Sequence, residues 1–342
     1  MIKVIDLFAG CGGLSCGFEQ AGLNIVAAVE YDKQIAKSYE YNHKNTEVFA
    51  EDIKIIDEQN IFSKDSADII IGGPPCQGFS MAGARIRNGF IEDPRNYLFK
   101  HYLSIVNKVK PKMFIIENVK GIQTMKKGQI FGEIISQFEN IGYKVHYKIV
   151  KATNFGVPQL RERMIIIGVL NQDFDIEKLF ETTKAKILKL NPDFFNTKTV
   201  WETIKDLEKV DASKEIVPNH IATKHNQTAT KRMSNIKNGK NFTSLKESIT
   251  SVHSGSYGRL EKDKPATTIT TRFDTPSGGK YIHPSLNRTI TPREAARIQS
   301  FPDDFVFIGN KTSICKQIGN AVPPKIGFFL AELTKEVIKN GK

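Results

Sequence analysis

Lys3-Val4-Ile5-Asp6-Leu7-Phe8-Ala9-Gly10-Cys11-Gly12-Gly13 opens the regular part of the chain. Lys3–Phe8 reads as a short apolar strand and Gly12 to Gln20 as the helix that follows. Glycines at such a turn let backbone approach a ligand closely, with the helix N–H groups behind it. The spacing is not the GxGxxG of a dinucleotide-binding turn, so alone it names no cofactor. The same rhythm continues outward. Asn24–Glu30, Val48–Asp52, Ala67–Ile71 and Met113–Glu117 read as strands rich in Ile or Val. Helices at Lys33–Tyr41, Asn96–Val109 and Gln129–Asn140 lie between or after them, and Tyr143–Lys151 and Met164–Leu170 close the series as an antiparallel addition. Strand alternating with helix predicts an α/β fold with a doubly wound, mostly parallel sheet.

Beyond about residue 185 the rhythm stops. Asn191 to Asn287 is polar, rich in Lys, Thr, Ser and Asn, with short β-prone pieces such as Ala266–Arg272. It reads as a second, smaller, irregular β-rich domain. Apolar helix returns at Lys325–Ile338 and is expected to pack back on the first sheet. The expected division is residues 1–185 plus 313–342 against 186–312.

The chain of 342 residues is long enough for two domains, and 40% hydrophobic with 25% charged residues is an ordinary globular composition. No run of eighteen apolar residues exists, and the N-terminus enters a strand at once, so neither a membrane span nor a signal peptide is expected. The location expected is cytoplasmic. Cys11, Cys16, Cys76 and Cys315 show no CxxC pair and no matching histidine spacing, which argues against zinc and against a disulfide framework. The net charge of +12 favours a polyanionic partner, with nucleic acid first. Residues 1–170 carry 21 basic and 18 acidic side chains; 171–342 carry 28 and 19. Ile216 to Lys246 has six basic residues and no acidic one, so the second half is the expected phosphate-binding half.

Pro74-Pro75-Cys76-Gln77 follows the buried strand Ala67–Ile71. It places a cysteine at the C-terminal edge of a parallel sheet, where open α/β folds hold their ligands. A lone cysteine is more often a small buried hydrophobe, but here two prolines stiffen its approach and a glycine-rich, basic segment, Gly78 to Arg95, follows as a candidate lid. Glu30 and Asp52 fall at the ends of the second and third strands. There a carboxylate can accept both hydroxyls of a ribose or meet an adenine amine. Together with the glycine turn they favour a nucleoside-containing cofactor.

Phe8-Ala9-Gly10-Cys11-Gly12-Gly13, Pro74-Pro75-Cys76-Gln77 and Glu117-Asn118-Val119, in that order, resemble the motifs of the DNA (cytosine-5-)-methyltransferase family, prokaryotic restriction-modification type. The resemblance continues through Gln159-Leu160-Arg161-Glu162-Arg163, through Arg288 to Pro302 with Thr291-Pro292-Arg293-Glu294-Ala295-Ala296-Arg297, and through Gly319-Asn320-Ala321-Val322-Pro323-Pro324. It spans nearly the whole chain outside 171–287, without departure at a catalytic position. It implies S-adenosyl-L-methionine as methyl donor, S-adenosyl-L-homocysteine as product and no metal. Cys76 would be the nucleophile, adding to carbon 6 of cytosine as a thiolate so that carbon 5 attacks the methyl group. Glu117 would bond ring nitrogen 3 and the exocyclic amine, and Arg161 and Arg163, two apart and so on one face of a strand, would hold the base carbonyl, the target phosphate and the thiolate. Phe8, Gly10, Gly12, Leu14, Glu30, Asp52, Pro74, Asn320 and Val322 would line the cofactor.

Duplex DNA is the partner implied, with a companion endonuclease acting separately as a further one; the chain itself is expected to be a monomer. A paired base cannot reach Cys76, so the nucleotide must rotate out of the stack, and the lid from Gln77 to about Asn96 would close over it. Gln77, Ser80, Arg85 and Arg87 are the expected lid contacts with DNA. The 186–312 stretch would read the target. Within it Ser254-Gly255-Ser256-Tyr257-Gly258-Arg259 and Thr270-Thr271-Arg272-Phe273 are expected near DNA, Arg259 and Arg272 meeting guanine or phosphate. Three alternatives stand beside this reading: a tRNA substrate for the same chemistry, a catalytically silent DNA-binding protein, and a nicotinamide dehydrogenase suggested by the glycine turn alone.

Overall fold

The computed structural model describes residues 2–75, 97–245 and 254–340, with backbone only at Tyr97, Lys126 and Asn340. The chain divides into two compact units: Met1–Lys151 with Glu162–Pro192 and Ile326–Lys342, and Ala152–Arg161 with Asp193–Lys325.

The first unit follows the rhythm read above. Its elements are β1 (Lys3–Leu7), α1 (Gly13–Gln20), β2 (Asn24–Val29), α2 (Lys33–Asn42), β3 (Glu47–Phe49), α3 (Ile53–Glu58), β4 (Ile69–Gly72), α4 (Tyr97–Val109), β5 (Met113–Val119), α5 (Gln129–Asn140) and β6 (Tyr143–Lys151). After the short β7 (Gln159–Leu160), which belongs to the other unit, come β8 (Glu162–Leu170) and α6 (Ile176–Leu190). The seven-stranded sheet has the order β3-β2-β1-β4-β5-β8-β6. β1 to β5 run parallel, and β8 pairs antiparallel with both β5 and β6. Val4, Ile5, Leu7, Ile69, Ile70 and Ile71 are all 0% exposed, because helices cover both faces of the sheet. The strand order reverses between β1 and β4, which makes their carboxyl ends the switch point where doubly wound folds bind ligands. Gly72 is required there: a Cβ on it would lie 2.2 Å from the Leu7 carbonyl oxygen.

β3 is shorter than the expected Val48–Asp52. Asp52 instead caps α3, its Oδ1 accepting from Lys54 N at 2.9 Å. A carboxylate with a free helical N–H two residues on stabilises a helix start better than another strand residue.

The second unit holds β7, α7 (Val200–Ile204), α8 (Gln227–Asn235), β9 (Ala266–Thr267), α9 (Pro292–Ile298), α10 (Lys311–Asn320) and the first residues of α11 (Pro324–Asn340). Its bounds run differently from the expected 186–312, because β7 pairs in parallel with β9 and draws Ala152–Arg161 into this unit. Its β structure, among the described residues, amounts to β7, β9 and isolated bridges Arg259↔Ile282 and Ile282↔Thr289. The expected strand over Ala266–Arg272 ends at Thr267. Buried polar clamps take the place of ladders. Arg293, 0% exposed, donates to the carbonyls of Pro218, Pro302 and Phe305. Thr291 and Glu294 form a reciprocal cap on α9, and Arg288 grips Glu294 with two bonds of 2.7 Å.

Among the described residues no helix is long and apolar enough to cross a membrane.

Candidate active site

Two groups of residues gather at the carboxyl ends of the first unit's central strands. The first belongs to β4 and β5. Antiparallel register sets Arg163 opposite Val119, so Arg163 shares a sheet face with Glu117, two residues back along β5. The Arg163 Nε lies 2.9 Å from Glu117 Oε1, and both side chains are largely buried. Arg163 also donates from Nη1 to the Glu162 carbonyl at 2.7 Å, which fixes the plane of its guanidinium. Next to Glu117, Asn118 donates through Nδ2 to the Pro74 carbonyl at 3.0 Å and accepts from Val119 N at 2.8 Å. A Cβ on Gly73 would sit 3.5 Å from Glu117 Oε2, so the glycine leaves the carboxylate close to the β4 exit. β5 thus fixes the carboxylate and, through Asn118, the backbone two residues before Cys76. In the sequence Asn118 stands out only as part of Glu117-Asn118-Val119. An amide beside a strand-end acid is the signal that marks it, since Asn can bridge two backbone segments with one donor and one acceptor.

Cys76 itself lies outside the described residues, as do Gln77, Ser80, Arg85, Arg87 and the expected lid.

The second group surrounds the glycine turn. Gly10 and Gly12 have φ of +57° and +91°, a region that glycine enters without strain. A Cβ on Gly12 would lie 2.1 Å from the His43 ring, whereas a Cβ on Gly10 would meet nothing within 4 Å. The turn is therefore packed on one side and open on the other. Glu30 is held in place by two backbone donors, Gly10 N at 2.9 Å and Asp32 N at 2.8 Å. Phe8 adopts a left-handed conformation at φ +61°, a cost of about 1–3 kcal/mol for a non-glycine residue that often marks a functional position. Its ring stacks on Tyr102, centroids 6.4 Å apart at 20°. Leu14 is buried in α1, and Pro74 is buried at the exit of β4. An open glycine turn, a held carboxylate and a strained aromatic fit a nucleoside-bearing cofactor.

In the second unit, Arg161 departs from the expected pairing with Arg163. It stands between β7 and β8, not in a strand, because β7 pairs with β9 while β8 pairs with β5 and β6. Its guanidinium is buried and donates to the carbonyls of Gly319 (3.1 Å), Ala321 (3.0 Å) and Ile269 (3.4 Å). It braces the turn that carries Asn320, which is exposed, and Val322, which is buried. Gly319 lets the Thr270–Thr271 backbone approach α10; a Cβ there would lie 2.4 Å from the Thr270 carbonyl carbon. Arg272 extends from that loop and is exposed. Arg259, expected at DNA, is 5% exposed. Its Nε, Nη1 and Nη2 donate to the carbonyls of Ile236, His283, Leu286 and Met233 and to Asn287 Oδ1. It is an internal clamp, with a planar fork suited to several carbonyls at once.

Among the described residues no group of three or more His, Cys, Asp or Glu side chains is gathered as metal ligands would be.

The family model described as C-5 cytosine-specific DNA methylase matches residues 2–336. The type II methyltransferase M1.HphI of Haemophilus parahaemolyticus is 36% identical over 99% of this chain and 88% of its own length. The type II methyltransferase M.DdeI of Desulfomicrobium norvegicum is 35% identical over 97% of this chain and 88% of its own. Among solved structures, a prophage-encoded E. coli protein provisionally described as a DNA modification methyltransferase aligns at TM-score 0.73 and 25% identity, covering 99% of this chain and all of the other. The S. pombe Dnmt2 methyltransferase aligns at TM-score 0.68 and 19% identity over 99% of both chains, a likeness of fold.

Proposed function

The chain belongs to the C-5 cytosine-specific DNA methylase family, and on that premise we propose that it methylates carbon 5 of a flipped-out cytosine in a specific duplex sequence, through a covalent bond to Cys76. The observation that carries the reading is the Glu117–Arg163 pair beside Asn118, which ties β5 to the backbone leading into Cys76.

The chemistry asks for that set. Cytosine carbon 5 is a poor nucleophile. The Cys76 thiolate adds through Sγ to carbon 6, and the ring electron pair moves to carbon 5. Glu117 donates a carboxyl proton to ring nitrogen 3 and accepts from the exocyclic amine, offsetting the charge that develops on addition; the proton returns to it when the ring is restored. Arg163 donates to the base carbonyl oxygen while its Nε keeps the Glu117 carboxylate in line. S-adenosyl-L-methionine, when bound, supplies the electrophilic methyl group and leaves as S-adenosyl-L-homocysteine. Loss of the carbon 5 proton to solvent then expels the Cys76 thiolate and restores the aromatic ring. Glu30 would hold the ribose hydroxyls, Phe8 the adenine face and Asp52 the adenine amine. The backbone around Gly10, Gly12 and Pro74 would line the methionine part, with Leu14 beside them in the cofactor site. The cofactor roles of Asn320 and Val322 rest on the family resemblance.

Arg161 acts as a brace of the Gly319–Ala321 turn, and Arg259 as a brace of the recognition unit. Arg272 is the candidate for direct contact with DNA, and residues 186–312 the candidate target-recognition region. Relatives named type II methyltransferases support a restriction-modification setting; a cytosolic location and a cognate endonuclease as separate partner are part of the same proposal.

Transfer of labelled methyl from S-adenosyl-L-methionine to diverse duplex DNA, wild type beside Cys76→Ala, tests the reading. Label on cytosine that vanishes in the variant supports it, and bisulfite sequencing of the product then reads out the target site. No label on DNA from folded, cofactor-binding wild type refutes it.

A further inference from the structure

A chain of buried polar groups runs behind the glycine turn. Asp6, on β1, is 1% exposed, and Ser15 Oγ donates to its Oδ2 at 2.6 Å from the first turns of α1. The Tyr39 hydroxyl, from α2, donates to Ser15 Oγ at 2.7 Å. Ser15 and Tyr39 are both 0% exposed. The far face of Tyr39 packs on His43, ring centroids 4.2 Å apart, and His43 Nδ1 pairs with Glu19 at 2.7 Å. The same His43 ring occupies the space that a side chain at Gly12 would take. The turn is thus wedged between Glu30, which takes the Gly10 N–H, and the Asp6–Ser15–Tyr39 relay.

A buried carboxylate without a cation is costly to ionise. Burial and the neighbouring Glu30 charge push the Asp6 carboxyl up to about 7, the Ser15 hydrogen bond opposing them. The titratable groups that face it are Glu30 at the end of β2, the Tyr39 phenol on α2 and the Tyr102 phenol on α4, with His43 and Glu19 behind Tyr39. Among the described residues, none of the groups that face Asp6 is a cation in contact with it. A positive charge arriving at the turn is therefore the natural partner for the ionised form. The methyl donor carries a sulfonium cation, while the product carries a neutral thioether at the same atom.

We propose that Asp6 is a positioning residue that reads the charge of the methyl donor: ionised, it ties β1 to α1 through Ser15 on either side of the glycine turn and favours the sulfonium donor over the thioether product. Protonated, it loses that preference. The inference rests on the reading of this turn as the S-adenosyl-L-methionine site. By linkage, whatever the cation does to proton binding at Asp6, protons do equally to the cation's affinity.

The test is calorimetric titration of the full chain, without DNA, with S-adenosyl-L-methionine and with S-adenosyl-L-homocysteine at pH 6, 7 and 8. Wild type should lose about five- to tenfold in donor-to-product affinity ratio between pH 8 and pH 6, the tenfold limit corresponding to a one-unit displacement of the Asp6 midpoint by the cation. Asp6→Asn should flatten the ratio. Ser15→Ala, which keeps the carboxylate but removes its donor, should move the fall to higher pH and serves if Asp6→Asn does not fold. His43→Gln should leave the pH dependence in place. A merely structural role for Asp6 would weaken both ligands alike at every pH. A ratio that is flat in wild type, or one that follows His43 instead of Asp6, overturns the inference. If wild type binds neither ligand, the reading of the turn as the cofactor site falls, and the inference with it.

Discussion

Asn118→Ala removes the amide that donates to the Pro74 carbonyl and accepts from the Val119 N–H. Asn118 is 7% exposed, its Nδ2 donates to the Pro74 carbonyl at 3.0 Å, and its Oδ1 accepts from Val119 N at 2.8 Å. Val119 is 44% exposed, so water can replace that acceptor at little loss. Pro74 is buried, and its carbonyl left without a donor costs about 1–3 kcal/mol. That loss falls two residues before Cys76, at the end of a strand whose Gly72 touches Leu7 O. The backbone into Cys76 gains freedom, and a nucleophile misplaced by even ~1 Å can lose about a hundredfold in rate. The expected outcome is a 10- to 100-fold lower kcat, about 1.4–2.7 kcal/mol in the barrier, with cofactor affinity within about threefold of wild type. Asn118→Asp keeps the acceptor but sets an anionic oxygen against the Pro74 carbonyl, so it should be no better. Single-turnover methyl transfer at saturating DNA, with calorimetric cofactor binding alongside, measures both quantities. A folded Asn118→Ala enzyme with wild-type kcat would show that this bond does not position Cys76.

Other perturbations separate scaffold from contact. Arg259→Ala leaves five neutral acceptors without their donor inside the second unit and should lower the melting temperature, by at least about 1–3 kcal/mol of stability, visible by calorimetry. Arg272→Ala should leave melting unchanged but weaken DNA binding and reduce the slope of log affinity against log salt by about one, measured by fluorescence anisotropy. Gly72→Ala forces a Cβ to within 2.2 Å of Leu7 O and should cost at least about 1–3 kcal/mol through separation of β1 from β4. His283, buried and accepting from Ser285 N and Leu286 N through Nδ1, has its protonation midpoint pushed down to about 4 by burial. The unfolded chain then binds a proton below about pH 6.5 that the native state refuses, so stability falls as pH drops from about 6.5 toward 4, by roughly 3 kcal/mol at most. His283→Gln should flatten that dependence in melts between pH 5 and 7.

The parts of the fold that could be read in sequence are those where local pattern and tertiary role agree. β1, β4 and β5 are apolar runs because both faces of the sheet are covered, and the glycine turn after β1 is legible because only glycine tolerates φ of +57° and +91° at that close approach. Asp52 stands near a strand end, as Val48–Asp52 suggests, but its own side chain begins a helix before a longer strand can form. Arg161 and Arg163 look equivalent in Gln159-Leu160-Arg161-Glu162-Arg163. What separates them is the choice of strand partner on either side of one residue, which no spacing encodes. Arg259 misleads for a related reason. Arginine is ordinarily a surface residue, and only an excess of nearby carbonyls without ladder partners, a property of the folded loops, turns it into an internal clamp. Asp6 and Ser15 are nine residues apart, with nothing in their spacing to announce a 2.6 Å bond.

The most direct test of the covalent mechanism uses a duplex in which the target cytosine, located by bisulfite sequencing, carries fluorine at carbon 5. Fluorine cannot leave as the proton does, so the adduct forms, takes its methyl group and stops before the thiolate is expelled. Wild type with S-adenosyl-L-methionine should give a denaturation-stable complex of one chain per duplex, with the modified peptide containing Cys76, and Cys76→Ala should give none. Methylation of ordinary cytosine by wild type without any such complex, or a complex that persists in Cys76→Ala, would contradict attack by Cys76.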